Sequence, residues 1–251
     1  MKFKMKETDS PPKRLALTPP LFLVYIDGYN LYKGINHEDP SDLLRLGWSN
    51  YQKLGERLVD LSFQHLSNRR TVKVKYFTAI VSKDSGTPGE IQRQQLWLEV
   101  LKDEARTLEV VPGLHRSYTA TFDDRKEKMT DVNVALHAAR DICEVKPAGF
   151  VLVSGDLDFM PIVECAATAN IPVAVFFPQE HPLYALPPGV DYSSRVEITY
   201  LTRDILKECR LSDERWLEYL RLKVRDRKRF QPCLDYEIER QNTAAKPISR
   251  R

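Results

Sequence analysis

The sequence predicts an α/β protein: a three-layer sandwich with a central, mostly parallel sheet covered by helices on both faces. Three observations carry that expectation. Short apolar runs without a 3.6-residue period recur at residues 21–26 (LFLVYI), 150–153 (FVLV) and 171–177 (IPVAVFF), and read as strands buried on both faces of a parallel sheet. Between such runs lie segments with helical spacing, which supply the crossovers a parallel sheet needs. Two of the runs stop at an acidic turn, Asp27-Gly28-Tyr29-Asn30 and Ser154-Gly155-Asp156-Leu157-Asp158. In open α/β sheets, ligands bind at the carboxyl ends of the strands.

Composition sets the bounds. The chain has 251 residues, 42% of them apolar, and a net charge of only +3. That is enough apolar material for a real core, and any polyanion must be met by local clustering of charge, not by bulk charge. The four cysteines, Cys143, Cys165, Cys209 and Cys233, have no CxxC spacing. This argues against a zinc site and for reduced thiols in a cytoplasmic setting. No apolar run approaches membrane-spanning length.

Residues 1–20 are polar, basic and proline-bearing and read as a flexible tail. The first strand ends at Asp27, where Gly28 permits a tight turn and Asn30 either anchors the loop or binds a ligand through its amide. A plain Asx-turn would also explain these residues. Residues 41–47 read as linker and Trp48 as a packing anchor. Ser49 then caps a helix running to about Leu66, with Leu54, Leu58, Leu61 and Leu66 at helical spacing. Residues 72–81 form a second strand. Pro88 opens a second helix, residues 89–106, and residues 108–111 form a short third strand.

Residues 114–128 break the alternation. Tyr118 and Phe122 interleave with Arg116, Arg125, Lys126 and Lys128, a mixture that suits single-stranded nucleic acid, with phosphates on cations and bases on rings. A solvated loop suits it equally. The next helix, residues 129–142, takes Thr130 as its N-cap and Asp131 in its first turn, with Val132, Ala135, Leu136 and Ala139 as the buried stripe. Asn133, His137 and Asp141 share another face. His137 and Asp141 fit a structural pair as well as a site, whereas Asp131 can be aimed at the strand ends.

Asp156 and Asp158 either cap the following helix or, as like charges in one turn, flank a cation. Beyond them come the strand at 171–177, a proline-rich loop at 178–189 and a shorter, edge-type strand at 196–201. Two short helices follow, capped by Thr202 and Ser212. Arg221, Lys223, Arg225, Arg227, Lys228 and Arg229 form the densest cationic stretch. It is either a solvated face or a track for a polyanion.

Three ordered blocks, VYIDGYNLYKG (24–34), EKMTDVNVALHAARD (127–141) and VLVSGDLDF (151–159), resemble the signature blocks of the NYN domain family, a branch of the PIN-like nuclease superfamily. The resemblance extends over residues 21–201. Together with the composition of the two ends, which it does not cover, this divides the chain into an N-terminal tail (1–20), a NYN/PIN-like nuclease domain (21–201), a C-terminal helical extension (202–224) and a basic flexible tail (225–251). The resemblance implies a Rossmann-like, PIN-like parallel sheet and metal-dependent cleavage of RNA, with the acidic positions falling on Asp27, Asp131, Asp156 and Asp158 and Asn30 beside them. Many relatives carry an acid one or two turns into the central helix, where this chain has His137, with Asp141 beyond it.

The chemistry asks for the same constellation. Phosphodiester hydrolysis needs negative charge neutralised and a hydroxide made near neutral pH, and clustered carboxylates can hold Mg²⁺ or Mn²⁺ for both purposes. Asp27 and Asp156 are the expected inner ligands. Asp131 and Asp158 complete the set directly or through water, one of them serving as base. Asn30, Ser154, Asn133, His137 and Asp141 are expected supporting residues, and Arg116, Arg125, Lys126 and Lys128 the RNA contacts. The expected partner is RNA, single-stranded or structured, with no membrane, and a homo-oligomer is compatible with the sequence. The rival reading is a non-catalytic RNA-binding or scaffolding module on the same fold. An Asp-nucleophile phosphatase would need a DxD after the first strand, and Gly28-Tyr29 follows Asp27 instead.

Overall fold

A computed structural model describes residues 18–38, 49–65, 69–83, 85–105, 107–116, 126–178, 195–226 and 228–244. Its elements are β1 (Leu21–Asp27), α1 (Gly28–Glu38), α2 (Tyr51–Ser62), β2 (Thr71–Ile80), α3 (Pro88–Glu104), β3 (Glu109–Arg116), β4 (Lys126–Lys128), α4 (Thr130–Glu144), β5 (Gly149–Val153), α5 (Met160–Thr168), β6 (Val173–Phe177), β7 (Val196–Tyr200), α6 (Arg203–Cys209), α7 (Asp213–Asp226) and α8 (Gln231–Ala244). One sheet takes them in the order β4-β3-β2-β1-β5-β6-β7. Every pairing is parallel except that of β4 with β3. The α/β sandwich read from the sequence is the fold.

The order places a switch point beside β1. The chain passes from β1 outward to β2 and β3, then returns to β5 on the other side of β1 and moves outward to β6 and β7. The carboxyl ends of β1 and β5 therefore lie side by side with their connections leaving in opposite directions, which opens a crevice.

Strand alternation divides β1 between two cores. Phe22, Val24 and Ile26 pack in one cluster with Leu54, Leu58, Trp97, Trp216 and Phe230, under α2, α3 and the C-terminal helices. Leu23 and Tyr25 pack in the other with Phe77, Val134, Ala138, Phe150 and Val163, under α4 and α5. Asp27 continues the second series and so falls on the α4 side.

Several local expectations are corrected. The cap of α2 is Asn50, whose side chain accepts from the Lys53 N–H, while Ser49 is buried in a bridge with Arg210. The third strand is longer than residues 108–111 and runs to Arg116 because β4 pairs with its end. On α4, Met129 holds the N-cap position with a left-handed φ of 73° and Thr130 is already helical. Of the expected buried stripe only Ala135 packs partly against the core, while Val132 is 68% and Leu136 66% exposed. Val134, Ala138, Asp141 and Ile142 face inward instead. Two apolar faces compete on this helix, and the inward one is the face that carries Asp141 to its partners in the sheet.

The segment from 225 onward is not a flexible tail over its described length. It continues through α8 to Ala244, with Phe230 fully buried and Cys233 and Leu234 buried. Three apolar residues among the charges pin it to the core. The 1–17 portion of the N-terminal tail, the 41–47 linker with Trp48, Leu66, the 179–189 part of the proline-rich loop, and Tyr118, Phe122, Arg125 and Arg227 all lie outside the described residues.

Candidate active site

The site is built on Asp27, which is only 3% exposed. One carboxylate oxygen accepts the backbone N–H groups of Tyr29 and Asn30, both at 3.1 Å. The other accepts the Asn30 amide and the Ser154 hydroxyl, both at 3.0 Å. Helix α1 thus starts directly on the carboxylate. Gly28 makes this possible: a Cβ there would lie 2.6 Å from the Tyr76 ring and 2.7 Å from the Phe77 carbonyl oxygen.

The same polar groups tie β1 to β5. Asn30 Oδ1 accepts the Gly155 N–H at 3.2 Å. Ser154 Oγ, while donating to Asp27, accepts the Asp156 N–H at 3.1 Å. Asp156 then caps the single 3₁₀ turn Leu157–Phe159 by accepting the Asp158 N–H at 3.0 Å. Capping and facing the crevice are therefore compatible for Asp156, which remains half-exposed.

Asp131 arrives from a third element. It lies exposed in the first turn of α4, and β3 fixes where that turn starts. A Cβ on Gly113 would lie 2.2 Å from Thr130 Oγ1 and 2.9 Å from the Lys128 carbonyl oxygen. The Asn133 amide donates to the Pro112 carbonyl at 3.1 Å. Asn133 therefore clamps the helix to the sheet.

The charges of these acids act on one another. Burial raises the pKa of Asp27, against the hydrogen bonds from Asn30 and Ser154, and the Asp131 charge raises it further. Burial and then the charges of Asp156 and Asp158 raise that of Asp131. No lysine, arginine or histidine pairs with any of the four among the described residues. The donors are hard oxygens, the type Mg²⁺ and Mn²⁺ prefer. They do not yet close into a shell: among the described residues no three acidic, imidazole or thiol side chains converge as a metal-binding group.

His137 and Asp141 are drawn into a different network. Asp141 Oδ2 accepts the Lys75 ammonium and the Tyr25 hydroxyl, each at 2.5 Å. Lys75 is itself buried, lies 3.3 Å from His137 Nδ1 and 3.8 Å from a Glu109 oxygen. Burial pushes the Asp141 pKa up, but the Lys75 and Tyr25 hydrogen bonds and the Lys75 charge outweigh it, and the net shift is downward. Burial and the nearby Lys75 lower that of His137. Burial and the bond to Asp141 push the Tyr25 hydroxyl far above its usual range. Sequence reasoning missed Lys75 and Tyr25. The available signal was a lysine set in an apolar strand, VKVKYF.

Of the expected RNA contacts, Lys128 is exposed beside the start of α4. Arg116 and Lys126 are backbone partners in the register of β3 with β4, at the sheet edge. In the C-terminal cationic stretch, Lys223 is committed to Glu99 at 3.5 Å and Asp103 at 2.9 Å on α3, so it serves the packing of α7.

A parallel sheet with acids gathered on its strand ends at the switch point is the plan of a PIN-like nuclease fold. A model of the NYN domain matches residues 22–192, and the chain belongs to that family. A solved structure of a protein of unknown function from Vibrio parahaemolyticus is similar at 18% identity, covering 74% of this chain and 95% of that one with a TM-score of 0.45. No curated protein matches the chain. No helix among the described residues is long and apolar enough to cross a membrane.

Proposed function

We propose that this protein is a divalent-metal-dependent ribonuclease that hydrolyses RNA phosphodiester bonds at Asp27, Asp131, Asp156 and Asp158. One observation supports the reading: the Asp131 charge raises the proton affinity of Asp27, the charges of Asp156 and Asp158 raise that of Asp131, and none of the four pairs with a cation among the described residues. A purely structural carboxylate in this molecule looks like Asp141, with a lysine against it. Mg²⁺ or Mn²⁺ held by these acids would supply charge neutralisation at the phosphate and a water of lowered pKa. The chain's own part is positional. Asn30 and Ser154 hold the Asp27 carboxylate in one orientation and link it to the β5 turn. The Gly113 and Asn133 contacts set the start of α4 and with it Asp131.

The non-catalytic alternative has one observation in its favour: both Asp27 oxygens are already occupied by four hydrogen bonds from the chain itself. An assay of the full chain on mixed RNA and DNA oligonucleotides, with Mg²⁺, Mn²⁺ or EDTA, separates the two. The nuclease reading expects RNA cleavage with metal and none in EDTA. RNA binding without cleavage under any metal selects the alternative.

A further inference from the structure

We propose that Tyr29 and Tyr32, with Lys33 beside them, form a stacking platform that receives unpaired bases of single-stranded RNA next to the acidic site. The inference rests on the ribonuclease reading and adds to it the strand state of the substrate.

Helix α1 has one face in the core and one in solvent. Leu31 is fully buried and Ile35 6% exposed. Gly34 sits so close to the sheet that a Cβ would lie 2.6 Å from the side chain of Pro178. This seating turns positions 29, 32 and 33, which share a face at i, i+3 and i+4, outward. Tyr29 is 39% and Tyr32 52% exposed. Four aromatic side chains are exposed among the described residues, Tyr29, Tyr32, Tyr200 and Tyr236, and the first two lie within one helical turn and a half of Asp27. The Tyr29 N–H donates to the Asp27 carboxylate at 3.1 Å, so the platform is fixed to the site through the backbone.

A helix-stabilising role accounts for only part of this. The Lys33 ammonium lies 4.4 Å from the centre of the Tyr29 ring, an ordinary cation–π pair one turn apart. The Tyr32 side chain makes no hydrogen bond, ion pair or ring contact among the described residues. A flat, solvent-facing ring beside a cation, at the edge of a phosphate-cleaving site, matches a nucleotide: base on ring, phosphate on ammonium. A duplex hides the faces of its bases, so only unpaired nucleotides can use the platform.

The test is fluorescence anisotropy of the full-length chain in EDTA, where no metal-dependent cleavage interferes, with a short unstructured RNA and with the same RNA in duplex form. Tyr32→Ala should weaken single-strand binding roughly 5- to 150-fold, the range for one lost base–aromatic stack. It should leave duplex binding unchanged, and Tyr32→Phe should bind like the parent. Lys33→Gln should lessen the slope of log affinity against log salt by about 0.7, one phosphate contact. Tyr29→Phe keeps the ring and should also bind like the parent, whereas Tyr29→Ala should lose affinity. A melting curve for each variant confirms that α1 is still seated.

Unchanged affinity in both alanine variants, equal losses on single strand and duplex, or no single-strand binding by the parent chain would overturn the platform. Metal-dependent cleavage with tyrosine-independent binding defeats this inference and leaves the ribonuclease reading standing. Tyrosine-dependent binding with no cleavage under any metal does the reverse.

Discussion

The two ends of α4 treat a carboxylate in opposite ways. At the start, Asp131 faces other acids, has no cation against it among the described residues and holds its proton more tightly than a free carboxyl. Near the end, Asp141 is buried against Lys75 and Tyr25 and holds its proton less tightly. The same residue type on one helix thus serves two ends. A buried charge that the protein neutralises internally belongs to the architecture. The charges it leaves uncompensated are the ones that the proposed metal would neutralise.

The sharpest way to break this comparison is at the neutralised end. Lys75→Met should destabilise the fold by about 3–5 kcal/mol, because Asp141 is left buried without its cation. The double variant Lys75→Met with Asp141→Leu should regain most of that loss, as an apolar pair replaces a solvation-costly one. Urea unfolding measures both, and a double variant no more stable than Lys75→Met would sink the account.

At the uncompensated end the expected loss is in chemistry. Asp27→Asn and Asp156→Asn should each lower metal-dependent RNA cleavage at least a hundredfold, roughly 3 kcal/mol of transition-state stabilisation. Asp156→Asn should keep its fold, since an amide oxygen still accepts the Asp158 N–H. Asp27→Asn should be somewhat less stable, because its new N–H₂ meets the Asn30 amide that donates to the carboxylate. Single-turnover cleavage rates decide the assignment, and parent-like rates in either variant remove that residue from the site.

His137 lies with the architectural end and should behave accordingly. His137→Ala should cost about 1 kcal/mol of stability through the lost Lys75 hydrogen bond, and cleavage should fall less than tenfold. A loss as large as that of Asp27→Asn would move His137 into the reacting group.

The smallest effect tests the sign of the electrostatics. The folded-state pKa of Asp131 is raised, so its ionised form opposes folding above that pKa, and the opposition vanishes below the unfolded value of about 3.9. Asp131→Asn should therefore be more stable than the parent in metal-free buffer at neutral pH, by about 0.5 kcal/mol or less for so exposed a residue. The gap should close as pH falls through the raised pKa toward the unfolded one. Asp141 has the opposite sign. Its contribution is present above the unfolded pKa and is lost as pH falls through its depressed folded one. Thermal melts of the parent, Asp131→Asn and Asp141→Asn across this range should show both gaps closing as pH falls, with Asp131→Asn starting above the parent and Asp141→Asn below it.

Much of this was legible in the sequence because strands announce themselves. The runs ending at Asp27 and Ser154 are apolar on both faces and stop abruptly, so their type, parallel pairing and carboxyl ends could all be read. Helix α4 could not be phased, since Val132 with Leu136 and Val134 with Ala138 give two apolar stripes. Only the distant partners of Asp141, on β1 and β2, decide between them. The C-terminal segment misled for a related reason: its charges dominate the composition, while Phe230, Cys233 and Leu234 determine its place. Pairings such as Lys223 with Asp103 are long-range and leave no local trace.

The burial of Phe230 in the same cluster as Phe22 and Val24 has a consequence for how this molecule is made. The core cluster that β1 enters on one of its faces is not complete until α7 and α8, the last of the described elements, have been synthesised. Until then the α3 surface around Trp97, whose ring meets Trp216, must wait uncovered or held by a chaperone, as aggregation-prone apolar surface. Premature stops in the last helices would therefore be expected to act less as trimmed appendages than as lesions of the whole domain, seen first as lost soluble yield.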